Sequence, residues 1–280
     1  MNDETKQIHL TVALQYAGYE DFEPVTVQKN GKEMHGFKFL LPGNIAPVVY
    51  YDENTCDEDY IERVTKALEN IPAEFQNTEK LLVWDEVKEK VFIGVCNETR
   101  TDDNIIYHDC VSDILQYVYI EVGNTEKHER GVIRVNSDLL SKWEIDENTL
   151  FATAKANTTK KGFPVQSMGS FMQEMTGLPA DELENGFYII TNPQKTGGAC
   201  VLACPDFFKD LKPGKYYILP SSRHEVLLLS GKNINAGEKT LCTMVRKVNQ
   251  TEVSYDDFLS DYPIRLTVTG DNVKFEKVEM

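Results

Sequence analysis

Long hydrophobic runs are missing from this sequence, and so is a basic segment followed by an apolar core near its first residue. The uninterrupted apolar run at 226–229 is short, whereas a helix that crosses a bilayer needs roughly 20 apolar residues. The opening MNDET is acidic, which is not the pattern of a secretory signal. We therefore expect a cytoplasmic protein with no membrane association.

Basic residues are also scarce. The chain has 29 lysines and arginines against 45 aspartates and glutamates, so its formal net charge is −16, and the pair Lys160 and Lys161 is the closest approach to a basic cluster. Because this charge repels a phosphate backbone, direct nucleic-acid binding is not expected. An acidic face could bind a protein partner, although acidity also serves solubility alone.

Cysteine is present but without the signs of a disulfide framework. In a chain without an export signal, cysteines are better interpreted as reduced thiols. A chain of 280 residues can bury about three quarters of its unfolded surface, so it needs neither disulfides nor metal to fold. The six cysteines are Cys56, Cys96, Cys110, Cys200, Cys204 and Cys242.

Helical spacing and strand alternation are intermixed along the chain. Residues 5–16 have helical spacing, and Asn30-Gly31 between two alternating runs predicts a hairpin. A second hairpin is predicted near Gly270, and GGACVLA, CPDFFKDL and SYDDFLSD are interpreted as a strand and two helices. This mixture predicts an α+β fold with a mixed, largely antiparallel sheet, hairpins at both ends of the chain and packed helices.

The looser stretch TTKKGFPVQS is a candidate boundary between two subdomains, although an internal loop explains it equally well. With the boundary placed there, residues 1–22 form an N-terminal helix, 23–160 an N-terminal α+β subdomain and 161–280 a C-terminal α+β subdomain.

Five segments occur in an order that resembles a known family. They are NIAPVVYYDE, ANTTKKGFPVQSM, FYIITNPQKTGGACVLACPDFF, YYILPSSRHEVLLL and MVRKVNQTEVSYDDFLSDY. Over about residues 25–263 the chain resembles an uncharacterised bacterial domain-of-unknown-function family, common in gut-associated Gram-positive bacteria. The resemblance implies a cytoplasmic bacterial protein without an established activity or cofactor. Cys200 and Cys204 stand where the family more usually has small or aliphatic residues, which counts against a shared catalytic role for them.

The stretch YYILPSSRHEVLLLS holds the best candidate for chemistry, since two apolar runs flank Ser221, Ser222, His224 and Glu225. A serine triad needs an acid that orients the same imidazole that takes the serine proton. Glu225 follows His224 directly and would point to the opposite face of a strand, and no Gly-x-Ser-x-Gly elbow is present. We therefore favour a hairpin turn, in which His224 is a tip residue whose replacement costs about 1 kcal/mol or less.

No metal site is predicted. The residue four positions after His224 is Leu228, so the zinc motif His-Glu-x-x-His is incomplete. In a strand, Cys200 and Cys204 would lie roughly 13 Å apart, too far to share an ion. Cys204 precedes Pro205 and could be a reactive helix-cap thiolate, but its apolar neighbours favour a buried, unreactive thiol.

Two functional hypotheses of different class follow. The first is a non-enzymatic binding or adaptor protein that uses an acidic face and an exposed hairpin tip. The second is a hydrolase centred on Ser222, His224 and Asn192, brought together where neighbouring strands end. A concave pocket that gathers His224, Asn192 and a carboxylate from elsewhere in the chain would favour the hydrolase.

Overall fold

The computed structural model describes residues 3–40, 46–69, 78–122, 131–176, 186–233 and 237–279. These residues form an α+β fold with three mostly antiparallel sheets, which confirms the predicted class. Among the described helices, none has both the length and the apolar character that crossing a bilayer requires.

The chain divides into two compact units that interleave in sequence. The first unit comprises Met1–Lys88, Thr99–Ile105 and Glu121–Glu144, and the second comprises Glu89–Glu98, Ile106–Ile120 and Ile145–Met280. Residue 160 lies inside a helix that belongs wholly to the second unit, so the subdomain limits predicted from the sequence do not coincide with this division.

The first unit is built on a three-stranded sheet of order β1-β2-β3. Asn30 and Gly31 join β1 to β2 with positive φ angles of 50° and 68°, which suit a tight hairpin turn, so the predicted hairpin is confirmed. Phe37 and Tyr60 are fully buried in its core. The elements are α1 (Asp3–Tyr16), β1 (Phe22–Lys29), β2 (Lys32–Phe39), β3 (Val48–Tyr51), α2 (Asp57–Glu69), a 3₁₀ helix (Thr78–Leu82), α3 (Trp84–Val87), β7 (Gly131–Arg134) and α4 (Ser137–Trp143).

The second unit contains a six-stranded sheet of order β13-β12-β10-β11-β9-β8 and a sheet in which β6 lies between β4 and β5. Its helices and strands are intermixed along the chain. They are β4 (Val91–Asn97), β5 (Tyr107–Val111), β6 (Ile114–Val122), α5 (Glu147–Lys161), β8 (Val165–Ser167), α6 (Met168–Thr176), β9 (Phe187–Ile190), β10 (Gly214–Leu219), β11 (Val226–Ser230), α7 (Gly237–Thr251), β12 (Ile264–Thr269) and β13 (Asn272–Lys277), with 3₁₀ helices at Gly198–Ala203, Pro205–Asp210 and Gly231–Asn233.

Helix α7 packs one face onto the six-stranded sheet. Leu241 and Val245 of this helix lie in one core cluster with Tyr217, Leu219 and Leu229 of β10 and β11. The predicted C-terminal hairpin is confirmed as β12 and β13, with Gly270 at a φ of 58° in its turn. The site described below lies at the end of β10 and β11, beside α7.

Two sequence interpretations are wrong. GGACVLA does not form a strand, because Gly198–Ala203 is a 3₁₀ helix whose residues are all buried. A short apolar run is ambiguous between a buried strand and a buried helical segment, and burial on all sides explains the error. SYDDFLSD does not form a helix but a turn, followed by a β-bridge from Phe258 to Ser222. CPDFFKDL is helical with Pro205 in its first turn, as predicted, but the helix is 3₁₀.

Candidate functional site

The polar loop of YYILPSSRHEVLLLS connects the paired strands β10 and β11. The register runs from Tyr216 opposite Ser230 to Leu219 opposite Leu227, which confirms the predicted hairpin. Apolar residues on both strands make the pairing stable in the sheet interior, and Pro220 follows the last residue of β10. Residues 220–225 therefore form the connection at the sheet's end.

This connection is anchored on both sides instead of projecting as a free tip. Backbone hydrogen bonds of 2.9–3.1 Å join residues 220–223 to residues 257–260, next to the bridge between Ser222 and Phe258. The carbonyl of His224 accepts hydrogen bonds from the Gly198 N–H at 2.9 Å and from the Thr191 hydroxyl at 2.9 Å. The prediction of a sparsely contacted loop is thus wrong.

The imidazole of His224 has a partner at each ring nitrogen. Nδ1 accepts from the backbone N–H of Gly197 at 3.3 Å, so the ring proton sits on Nε2. Nε2 then donates to Oδ1 of Asp257 at 2.8 Å. Both nitrogens are therefore engaged in holding the loop in place.

Asp257 is the centre of this polar network. Besides His224 it binds Nε of Arg223 at 3.2 Å, and the Ser254 hydroxyl donates to its Oδ2 at 2.8 Å. Partial burial alone would raise the pKa of Asp257, but the hydrogen bonds from Ser254 and His224, with the charge of Arg223, outweigh burial and lower this pKa. Asp257 thus stays ionised and fixes the loop.

A cleft of about 380 Å³ lies between the end of β10 and β11, the polar loop and α7. One wall is apolar and continues the core under α7. Two of its side chains, Met244 and Val248 on α7, are 45% and 41% exposed. The apolar lining comprises Leu219, Leu227, Met244, Val245, Val248 and Val253.

The other end of the cleft is polar, with three serines, the His224–Asp257 pair, Glu225 and Glu252. Glu225 is half-buried, and burial raises its pKa. Within the described part of the chain, no hydrogen bond or ion pair to its carboxylate is found. Glu225 is therefore available to a ligand in the cleft, because no other described side chain occupies its carboxylate.

The predicted site residues are only partly brought together. Ser221, Ser222 and His224 line the cleft, but the Ser222 hydroxyl accepts a hydrogen bond from the His224 backbone N–H at 3.0 Å. In the described residues, neither serine hydroxyl is hydrogen-bonded to the imidazole. The arrangement thus lacks the contact between nucleophile and base that serine catalysis needs.

Asn192 and Cys204 lie outside the cleft lining. The side chain of Asn192 is buried and closes a turn, because it accepts from the Thr196 N–H at 3.0 Å and donates to the Thr196 carbonyl at 2.6 Å. Cys204 is 1% exposed, and burial raises its pKa, so the predicted burial of this thiol is confirmed. All six cysteines are free, and in the described ranges no group of three His, Cys, Asp or Glu side chains could hold a metal ion.

Asp257 is the important residue that sequence reasoning missed. It lies 33 positions after His224, in a segment interpreted as a helix. Ser254, three residues earlier, has a hydroxyl that accepts from the Asp257 N–H at 3.2 Å. The Ser-x-x-Asp spacing is typical of a helix start as well as of a turn, so the sequence held no signal that separated the two.

Replacing His224 by alanine should lower the free energy of unfolding by about 1–2 kcal/mol, because Asp257 and the Gly197 N–H each lose a hydrogen-bond partner. Urea denaturation followed by circular dichroism measures this loss. Asp257→Asn keeps an acceptor for Nε2 and should cost less. A cost for His224→Ala indistinguishable from zero would restore the view of an unconstrained tip.

Comparisons with known proteins identify a family but no activity. No curated protein matches the chain, and no solved structure matches it. A family of unknown function, DUF5688, matches residues 9–263, which covers most of the chain and includes every residue of the cleft. The chain therefore belongs to the DUF5688 family of unknown function.

Proposed function

We propose that this chain is a non-enzymatic cytoplasmic binding protein with an acidic surface, and that the cleft beside α7 holds a small amphipathic ligand. The single observation that carries the proposal is the cleft itself, where an apolar wall meets a half-buried carboxylate for which the described residues supply no hydrogen-bond or ion-pair partner. A concave, mostly apolar pocket with a few convergent polar groups is the usual form of a small-molecule site, and 380 Å³ lies in the range of such sites.

The apolar wall supplies binding energy for the body of a ligand. Met244 and Val248 are large apolar side chains left partly exposed on α7, and a ligand in the cleft would cover them. Covering apolar surface stabilises a complex by about 25 cal/mol per Å², before the losses of freedom on binding are subtracted. The wall thus favours a ligand with an apolar body.

Two chemical properties support the location and the acidic surface. Six free thiols are typical of a reducing compartment. The net charge of −16 keeps such a protein soluble and attracts basic partners. The family resemblance implies a bacterial source, and the proposal includes this source.

The hydrolase hypothesis has weaker support from the same cleft. His224 would have to break its bond to the Gly197 N–H before Nδ1 could act as a base, and Ser222 would have to turn away from the His224 backbone. Asn192, the third residue of that hypothesis, is committed to the turn at Thr196. A binding site needs none of these rearrangements.

The proposal predicts that a neutral amphipathic probe, 4-phenylbutanol, binds in the cleft with an affinity of about millimolar order, as expected for a molecule of its size. Val248→Gln, which makes the apolar wall polar, should weaken this binding about tenfold. NMR titration of the labelled protein measures both affinities and shows which residues respond.

Val12→Gln is the matched control, because Val12 is also an exposed valine on a helix but lies in the first unit. It should leave probe binding unchanged. The proposal fails if the wild-type protein shows no saturable binding, or if the two variants weaken binding equally.

A further inference from the structure

We infer that the ligand of the cleft is a small organic cation, an ammonium group on an apolar body, and that Glu225 is the residue that selects it. This inference rests on the proposed function. It adds the charge of the ligand and the residue that recognises this charge.

The first argument is the position of Glu225. Its carboxylate lines the cleft at the polar end, one residue from His224 and two from Leu227 of the apolar wall. Among the described residues it has no hydrogen-bond or ion-pair partner, although it is half-buried. An ammonium donor in the cleft would satisfy this carboxylate with a charge-assisted hydrogen bond, which is stronger than a neutral one.

The second argument is the balance of charge around the cleft. No lysine or arginine is among the described residues that line it. Asp257 is already paired with His224 and Arg223, whereas Glu225 and Glu252 remain as carboxylates facing the cleft. The local charge is therefore negative, and it repels an anionic ligand while it attracts a cation.

The third argument is the arrangement of the two chemistries along the cleft. Glu225 is the last residue of the polar loop, while Met244 and Val248 line the α7 side. A ligand that spans the cleft thus meets carboxylate with one end and aliphatic side chains with the other. A free inorganic cation would leave the apolar wall uncovered, and a neutral hydrocarbon would leave Glu225 without a partner.

The pH dependence of binding follows from the same groups. Burial raises the pKa of Glu225, and the charge of Asp257 adds to this rise. As the pH falls through this raised pKa, Glu225 takes up a proton and loses its attraction for an ammonium group. The other titratable groups that line the cleft are His224, Asp257 and Glu252, and Arg223 is paired with Asp257.

The test uses three probes with one skeleton: 4-phenylbutylammonium, 4-phenylbutanol and 4-phenylbutanoate. We expect the ammonium to bind about tenfold more tightly than the alcohol at pH 7, and the carboxylate more weakly than both. Glu225→Gln should remove most of the advantage of the ammonium and leave the alcohol unchanged. Glu252→Gln is the matched control and should have a smaller effect, because Glu252 is exposed.

A second readout separates Glu225 from a general acidic field. The affinity of the wild-type protein for the ammonium should fall as the pH is lowered through the raised pKa of Glu225, and Glu225→Gln should reduce this fall. If the alcohol binds but the ammonium has no advantage, the inference is overturned and the proposed function stands. If the advantage survives in Glu225→Gln, the assignment of Glu225 is overturned. If none of the probes binds, both proposals fail.

Discussion

Leu228→Ala is expected to lower the free energy of unfolding by about 3–5 kcal/mol, the range for truncating a fully buried leucine in a core that cannot collapse around the cavity. Leu228 is 3% exposed on β11, opposite Ile218 of β10 and Tyr188 of β9, so strands on both sides hold the cavity open. Urea denaturation at equilibrium, followed by circular dichroism, gives this difference directly.

Leu227→Ala is the matched control for this change. Leu227 is the neighbouring residue on β11, but it is only partly buried and lines the cleft. Its truncation should cost about 1–2 kcal/mol, since part of the removed surface already contacts water. Equal costs for the two leucines would contradict the deeper burial of Leu228.

The hairpin that carries the site could be predicted from the sequence for a clear reason. Its two apolar runs and the proline between them are local features, and the pairing of β10 with β11 follows from them. The Asn30-Gly31 turn was predictable on the same grounds, because its positive φ angles need these residue types.

The electrostatic half of the site could not be predicted in this way. Asp257 reaches His224 only because residues 257–260 form backbone hydrogen bonds with the loop, a long-range pairing without a local signature. The cleft also depends on where α7 packs, and Met244 and Val248 read in sequence as ordinary apolar positions of an amphipathic helix. Which apolar positions remain uncovered is decided by tertiary packing.

The interleaving of the two units could not be predicted either, because it also depends on contacts between segments that are distant in sequence. Segments 99–105 and 121–144 belong to the first unit although strands of the second unit precede and follow them. A charged stretch such as NETRTDDN lies at one of these crossings, but such stretches also connect elements within one unit, so composition does not mark the boundary. The stretch TTKKGFPVQS is predicted as a boundary from its loose composition, but its first four residues are the last turn of α5.

The second prediction with a large expected effect concerns the backbone that contacts the His224 carbonyl. A Cβ added at Gly198 would lie 2.5 Å from Cα of Thr191 and 2.6 Å from both the Asn192 nitrogen and the His224 carbonyl oxygen. All three are backbone atoms, which cannot move aside as the end of a flexible side chain could. Gly198→Ala should therefore lower the free energy of unfolding by about 3 kcal/mol through overpacking.

Gly197→Ala is the control that isolates this packing effect. Gly197 has a φ of 77°, and a Cβ there would meet no atom within 4 Å, so alanine adds only the strain of a left-handed backbone, about 1 kcal/mol. The Gly198 N–H donates to the carbonyl of His224, so the clash in Gly198→Ala should also shift the polar loop and weaken 4-phenylbutanol binding. Gly197→Ala adds no such clash, and its N–H can still donate to Nδ1 of His224. Denaturation and probe titration of both variants test this together. If the two alanine changes cost the same and bind the probe alike, close packing against the His224 carbonyl does not position the loop.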